Sequence, residues 1–354
     1  MRIFGLRKNT MQEELKHNGL YSRSRQALLL LACFLLITFL ASFCLGRYGV
    51  PLDELIKIIL SKLFPIEQSW TSQMETVVFN IRLPRILMAC LVGCCLSVAG
   101  VSYQGVFQNP MAAPDILGAS SGAAFGAALA ILNSASNRMI TVSAFIFSLI
   151  TVCIVYFIGQ RAPGHRVVNL ILAGIMVSSL FSAGTSYIKL VADPTNQLPE
   201  ITYWLMGSLS GTRMSSIGFV IIPMLLGLIP LFLLRWQLNV LTLGDDEART
   251  MGINTNLLRF VIIICSTLIT AASVSVSGMI GWVGLVIPHL CRKIVGGNYK
   301  YLMPATIIVG ATFLLIVDNF SRNLMATEIP IGILTAFIGA PFFIYLITRK
   351  EKML

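Results

Sequence analysis

The segment from residue 276 to 292, VSGMIGWVGLVIPHLCR, constrains the fold more than any other stretch of the chain. An apolar run of this length belongs in a bilayer. It nevertheless carries Gly278, Gly281 and Gly284 at three-residue spacing, and it closes on Pro288, His289 and Arg292. Small residues spaced in this way let helix backbones approach closely, which is how membrane helices pack where lipid supplies no hydrophobic drive. A single lipid anchor needs none of this, so the segment implies a bundle of several membrane helices.

The rest of the chain agrees. Of the 354 residues, 56% are hydrophobic and only 12% charged, against about 25% charged in a soluble domain. Only helices and closed barrels satisfy their backbone in lipid. The apolar runs are continuous and roughly 20 residues long, which reads as helix and not as the alternating strands of a barrel. The expected fold is an all-α polytopic membrane protein with about ten transmembrane helices. The expected spans are 27–46, 83–103, 115–132, 139–158, 168–190, 216–235, 258–277, 279–295, 302–321 and 331–348, with Ser277-Gly278 as the break in the long 258–295 region. Residues 1–26 read as a polar cytoplasmic tail without the pattern of a cleaved signal, 27–348 as the transmembrane domain, and 349–354 as a second cytoplasmic tail.

The net charge of +11 reads as an orientation signal and not as a footprint for nucleic acid. With the N-terminus inside, the cytoplasmic segments hold 17 of the 26 Lys and Arg residues, and both basic tails fall on the cytoplasmic side, which requires an even number of spans. The eight cysteines lie in or beside apolar runs and have no metal-ligand spacing, so they read as small apolar residues and no metal site is expected. No GxxxxGK[ST] loop, HExxH or GxSxG motif occurs, so neither nucleotide binding by that route nor those hydrolytic chemistries belong to this chain.

Several local features carry more specific readings. Gly118, Gly122 and Gly126 read as a small-residue face for tight helix packing. Asp53 to Leu60 reads as an amphipathic helix on the outer membrane surface. Arg82-Leu83-Pro84-Arg85 places two arginines at an outer helix end, either snorkelling or docking an acidic partner. Asp318 and Arg322, four residues apart, read as an intrahelical pair. Gln104 to Pro114 is an inner link whose amides and prolines imply irregular backbone, a plain turn or a pathway lining. The longest inner loop, 236–257, holds Leu243-Gly244-Asp245-Asp246-Glu247-Ala248-Arg249-Thr250-Met251-Gly252; its acidic start and glycine end suit a short helix at the cytoplasmic face.

Together these residues resemble the permease subunits of ATP-binding-cassette importers for iron–siderophore complexes, haem and cobalamin, the FecCD type. The resemblance rests on seven elements in order: Arg82 to Arg85; Gln104 with Asn109-Pro110; Pro114 with Gly118; Trp204 to Leu209; Leu243 to Gly252; Gly281 to Arg292; and Glu328-Ile329-Pro330-Ile331-Gly332.

The resemblance implies ten helices per subunit with both termini cytoplasmic, a second permease subunit forming a homodimer or heterodimer, two copies of a separate ATPase that uses ATP and Mg, and an extracytoplasmic substrate-binding protein. It implies that Leu243, Gly244, Asp245, Asp246, Glu247, Ala248, Arg249 and Gly252 couple to the ATPase. By the same resemblance Arg82, Arg85 and Arg322 receive the binding protein, and Asn109 and Met111 form the inner gate. The second gate segment falls near Arg166 and Val167, which lack the expected short polar residues and are left unassigned. The chain itself would bind no cofactor and catalyse nothing. Ferric siderophore is the favoured cargo, ahead of haem and cobalamin. A stand-alone secondary transporter is the alternative, and it has Asp318 as its one acidic candidate within a span.

Overall fold

The structure is a computed structural model that describes residues 2–62, 64–164 and 166–348. Among them the regular structure is entirely helical. In chain order the helices are α1 (Arg2–Cys44), α2 (Leu52–Leu60), α3 (Ser72–Thr76), a π-helical turn (Val77–Arg82), α4 (Leu83–Val106), α5 (Ala119–Leu132), α6 (Asn137–Arg161), α7 (Arg166–Val191) and α8 (Gln197–Met206). They continue with α9 (Met214–Leu233), α10 (Arg235–Leu241), α11 (Asp245–Thr250), α12 (Thr255–Ser277), α13 (Val283–Val295), α14 (Tyr299–Asn323) and α15 (Ile331–Thr348).

Among the described residues, seven helical stretches are long and apolar enough to cross a membrane. The shorter α5, α13 and α15 occupy the other three expected spans. The chain is therefore a multi-pass membrane protein. Two boundaries differ from the sequence reading. The first helix begins at Arg2, so the stretch read as a polar tail continues the first span as helix. The segment read as span 279–295 is an irregular turn followed by the 13-residue α13. The tail 349–354 lies outside the described residues.

The bundle is built around α4, whose stretch is 83% buried, whereas the windows of α6, α7 and α9 are 33%, 22% and 22% buried. Glycine makes this central position possible. A Cβ on Gly93 would stand 2.2 Å from the Gly310 carbonyl oxygen, and one on Gly100 would stand 1.8 Å from the Gly284 carbonyl oxygen. The backbones of α14 and α13 thus lie directly on α4. Of the three glycines that opened the sequence argument, Gly284 makes this crossing and Gly278 turns the chain at the end of α12 with φ +67°, while Gly281 has nothing near its missing Cβ. Gly122 and Gly126 face the α6 backbone as expected; Gly118 instead caps α5 with φ +76°. The surface helix read from Asp53 to Leu60 is α2, anchored by buried Leu55 and Ile58.

Candidate functional site

The two ends of the bundle carry different chemistry. By the charge bias the inner end holds the 235–257 loop and the 107–118 link. There the loop folds into α10 and α11. Asp245, Asp246 and Glu247 form the first turn of α11, where carboxylates favour the positive end of the helix dipole. Gly244 leads into it with φ +136°, a conformation that side-chain-bearing residues avoid, and Gly252 closes it with φ +79°. Ala248 is the buried face of α11. Leu243, Glu247, Arg249 and Met251 are exposed, and the Asp246 side chain is 94% exposed. This short ridge therefore presents two apolar side chains with flanking charges to the space below the bundle.

Three hydrogen bonds tie that ridge to the link after α4. Arg259, on α12, donates to Asp245 Oδ1 at 2.6 Å. Its other terminal nitrogen donates to the Val106 carbonyl at the end of α4. Gln108 Nε2 donates to the Leu241 carbonyl at 2.9 Å. Gln108 has φ +48°, an uncommon conformation for a residue with a side chain, so its hold on α10 is specific. One residue on, Asn109 accepts the Met111 N–H on Oδ1 at 2.9 Å, and Met111 is 47% exposed. Gln104 accepts from Arg292 Nη1 at 2.6 Å, joining the same turn to α13. Val167 lines an inner cavity of about 350 Å³ together with Asp245, Arg249 and Arg259.

The sequence reading missed Arg259 and Gln108 as connectors. Arg259 lies seven residues past Gly252 in what reads as the start of a span, and only the fold brings it to Asp245 and Val106.

The outer end carries a buried charge cluster. Arg85 Nε donates to Asp318 Oδ1 at 2.8 Å, and Arg85 Nη1 reaches Glu328 Oε2 at 2.9 Å. Arg322 Nε lies 3.1 Å from Asp318 Oδ2, the expected pair four residues apart. Arg322 also donates to Asn319, whose amide donates to Ser42 Oγ at 2.7 Å. Arg82 donates to the carbonyls of Phe43 and Tyr48, at the end of α1 and in the loop that follows. Arg82, Arg85 and Arg322 are only 3%, 6% and 7% exposed, so in this structure all three face protein. The cluster joins α1, α4, α14 and the turn before α15. Glu328, with 28% side-chain exposure, is its most accessible member.

A helical bundle with many apolar spans and an exposed charged ridge at its inner end is the architecture of a polytopic membrane permease. The sequence model of the FecCD transport family matches residues 34–349, and the chain belongs to that family. It is 40% identical over 322 residues to the molybdate import system permease protein MolB of Haemophilus influenzae, covering 91% of this chain and 95% of that one. It is 38% identical over 322 residues to a Helicobacter pylori protein named "Probable iron chelatin transport system permease protein", covering 91% and 97%. It is 38% identical over 284 residues to the hemin transport system permease protein HmuU of Yersinia pestis, covering 77% and 83%. A solved structure described as a metal-chelate type ABC transporter in an inward-facing conformation superposes with a TM-score of 0.82 at 39% identity, covering 91% of this chain and 99% of that one. The chain is thus an ABC importer permease of the FecCD family.

Proposed function

We propose that the chain conducts a metal chelate, ferric siderophore ahead of haem or cobalamin, from an extracytoplasmic binding protein into the cytoplasm. It does so paired with a second permease subunit and served by two ATPase copies. The observation that carries the mechanism is the connection from exposed α11 through Arg259 and Gln108 to the link bearing Asn109 and Met111. A push on the α11 ridge by an ATPase reaches the inner gate through these bonds without crossing the bundle. Such a two-state element, biased from a distant site, is what an ATP-driven gate requires.

The subunit pairing is supported by α7. Its outward face mixes exposed Met176, Leu180 and Leu190 with exposed Ser179, Ser182 and Ser186. Ser179 and Ser186 donate to carbonyls one turn back, and small residues of this kind on the face of a span suit close packing against a second subunit. A crevice of about 700 Å³ opens there, and Asp115 is its one ionisable lining residue. Molybdate is the second reading, favoured by the 40% identical relative that carries it.

Docking of the binding protein on Arg82, Arg85 and Arg322 stays part of this proposal, and Glu328 is the group an incoming carboxylate would replace on Arg85. The test is uptake by a strain deleted for this chain, given labelled ferric siderophores, haem, cobalamin and molybdate. Loss confined to a chelate and restored by the intact chain supports the proposal. Loss of molybdate uptake alone would overturn the chelate assignment.

A further inference from the structure

A cavity of about 940 Å³ opens at the outer end between α6, α8, α9 and the end of α12. Its rim carries Arg138 and Arg213, both exposed, and neither has a hydrogen-bond or ion-pair partner among the described residues. The hydroxyls of Ser210, Ser215 and Ser216 line it without a protein partner of their own. Arg213 is also the N-cap of α9, a 20-residue helix whose first-turn residues Ser215 and Ser216 line the same space, near the positive end of its dipole. One acid, Glu200, lines the wall, so the arginines leave a net positive charge.

The size and the apolar lining narrow the ligand class. A single water claims about 30 Å³, so the space far exceeds a small hydrated anion. Phe219 and Ile222 of α9 are among its apolar lining residues. Ile222, Leu226 and Ile229 then continue down one face of α9, 63%, 61% and 54% exposed. Tyr203 and Trp204 stand at the rim, the aromatic types that settle at headgroup level. A ligand for this site is anionic at one end and apolar at the other.

We propose that this cavity holds the headgroup of an anionic phospholipid from the outer leaflet, with its phosphate between Arg138, Arg213 and the α9 N-terminus and an acyl chain along Ile222, Leu226 and Ile229. The arginines grip the phosphate by charge-assisted donation. No residue lining this cavity lines the α7 crevice.

The test uses the full chain purified in mild detergent, with native mass spectrometry reading bound phosphatidylglycerol against phosphatidylcholine. Phosphatidylglycerol is expected to be retained selectively. The double variant Arg138→Gln, Arg213→Gln should lose it by about 30-fold, while Arg138→Lys, Arg213→Lys keeps most of it, as expected for two cations acting on one phosphate. A second reading needs no variant: phosphatidylglycerol nanodiscs should raise the thermal midpoint of the intact chain above that in phosphatidylcholine. Equal retention of both lipids, an unchanged midpoint, or displacement of the lipid by 1 mM phosphate or molybdate, on the order of the weak affinities expected of a free-anion site, would each overturn the assignment. The last would make it a site for a soluble oxyanion.

Discussion

Arg259 on α12 donates to Asp245 on α11 at 2.6 Å and, with its second terminal nitrogen, to the carbonyl of Val106. One guanidinium therefore spans the exposed α11 ridge and the end of α4. Replacing it with alanine should leave the bundle folded, because the Asp245 side chain is 43% exposed and water can take over the carboxylate. The expected loss is about fivefold to tenfold in ATP-driven uptake, in keeping with the roughly 1 kcal/mol of a partly exposed pair. Proteoliposome uptake together with ATPase rate checks this. Full uptake in Arg259→Ala would remove the guanidinium from the coupling route.

The crossing of α4 and α13 gives a stability prediction with an internal control. A methyl on Gly100 would collide with the Gly284 carbonyl at 1.8 Å, and backbone has nowhere to yield. Gly100→Ala should lower stability by at least about 2 kcal/mol, the scale of overpacking in a tight core. Gly281→Ala meets nothing within 4 Å and should stay within about 0.5 kcal/mol of the parent. Thermal melts in detergent separate the two. Equal midpoints would refute the packing argument.

The outer cluster predicts opposite behaviour for its two acids. Asp318 is fully buried between Arg85 and Arg322. Asp318→Ala leaves two cations facing each other away from water and should cost about 3–5 kcal/mol. Glu328 is partly exposed, and Glu328→Gln should cost no more than about 1 kcal/mol. That variant also releases Arg85 from a competing carboxylate. Capture of the loaded binding protein at low salt should therefore strengthen, and the gain should fade as salt screens it. Weaker capture by Glu328→Gln would mean that Glu328, and not Arg85, faces the partner.

Much of this was legible in the residues because the relevant signals are local. Apolar run length marked the seven long apolar helices found among the described residues, and the Ser277-Gly278 break fell where α12 ends. The acidic start and glycine end of α11 lie within one short loop. What sequence could not reveal was which charges face inward. Arg82 and Arg85 flank a proline at a helix end, a pattern shared by snorkelling and buried arginines. For Arg85 the approach of Asp318 and Glu328, more than 200 residues away, decides the matter, and for Arg82 the carbonyls of Phe43 and Tyr48 do. Arg259 escaped notice for the same reason, since its partners come from two other elements. The start of α1 at Arg2 was hidden because a polar helix leaves no apolar signal.

The exposed face of α11 supplies the last prediction. Reversing the whole acidic cluster would confound two effects, because Asp245 is held by Arg259 while Asp246 and Glu247 point away from the bundle. The informative variant is Asp246→Lys with Glu247→Lys, which leaves the Arg259 bridge in place. Two cations in the first turn oppose the helix dipole, each at about 0.3–1 kcal/mol, so α11 should loosen slightly without loss of the bundle. Under the proposed coupling role, these carboxylates meet complementary cations on the ATPase, and the same change would place like charges together, which disfavours docking far more than it disturbs the helix. The expected result is an unchanged melting midpoint, loss of copurifying ATPase, and uptake near background. If the ATPase copurifies undiminished and uptake persists, the ridge is not the contact surface, and the bonds through Arg259 and Gln108 would be bracing the inner link rather than driving it.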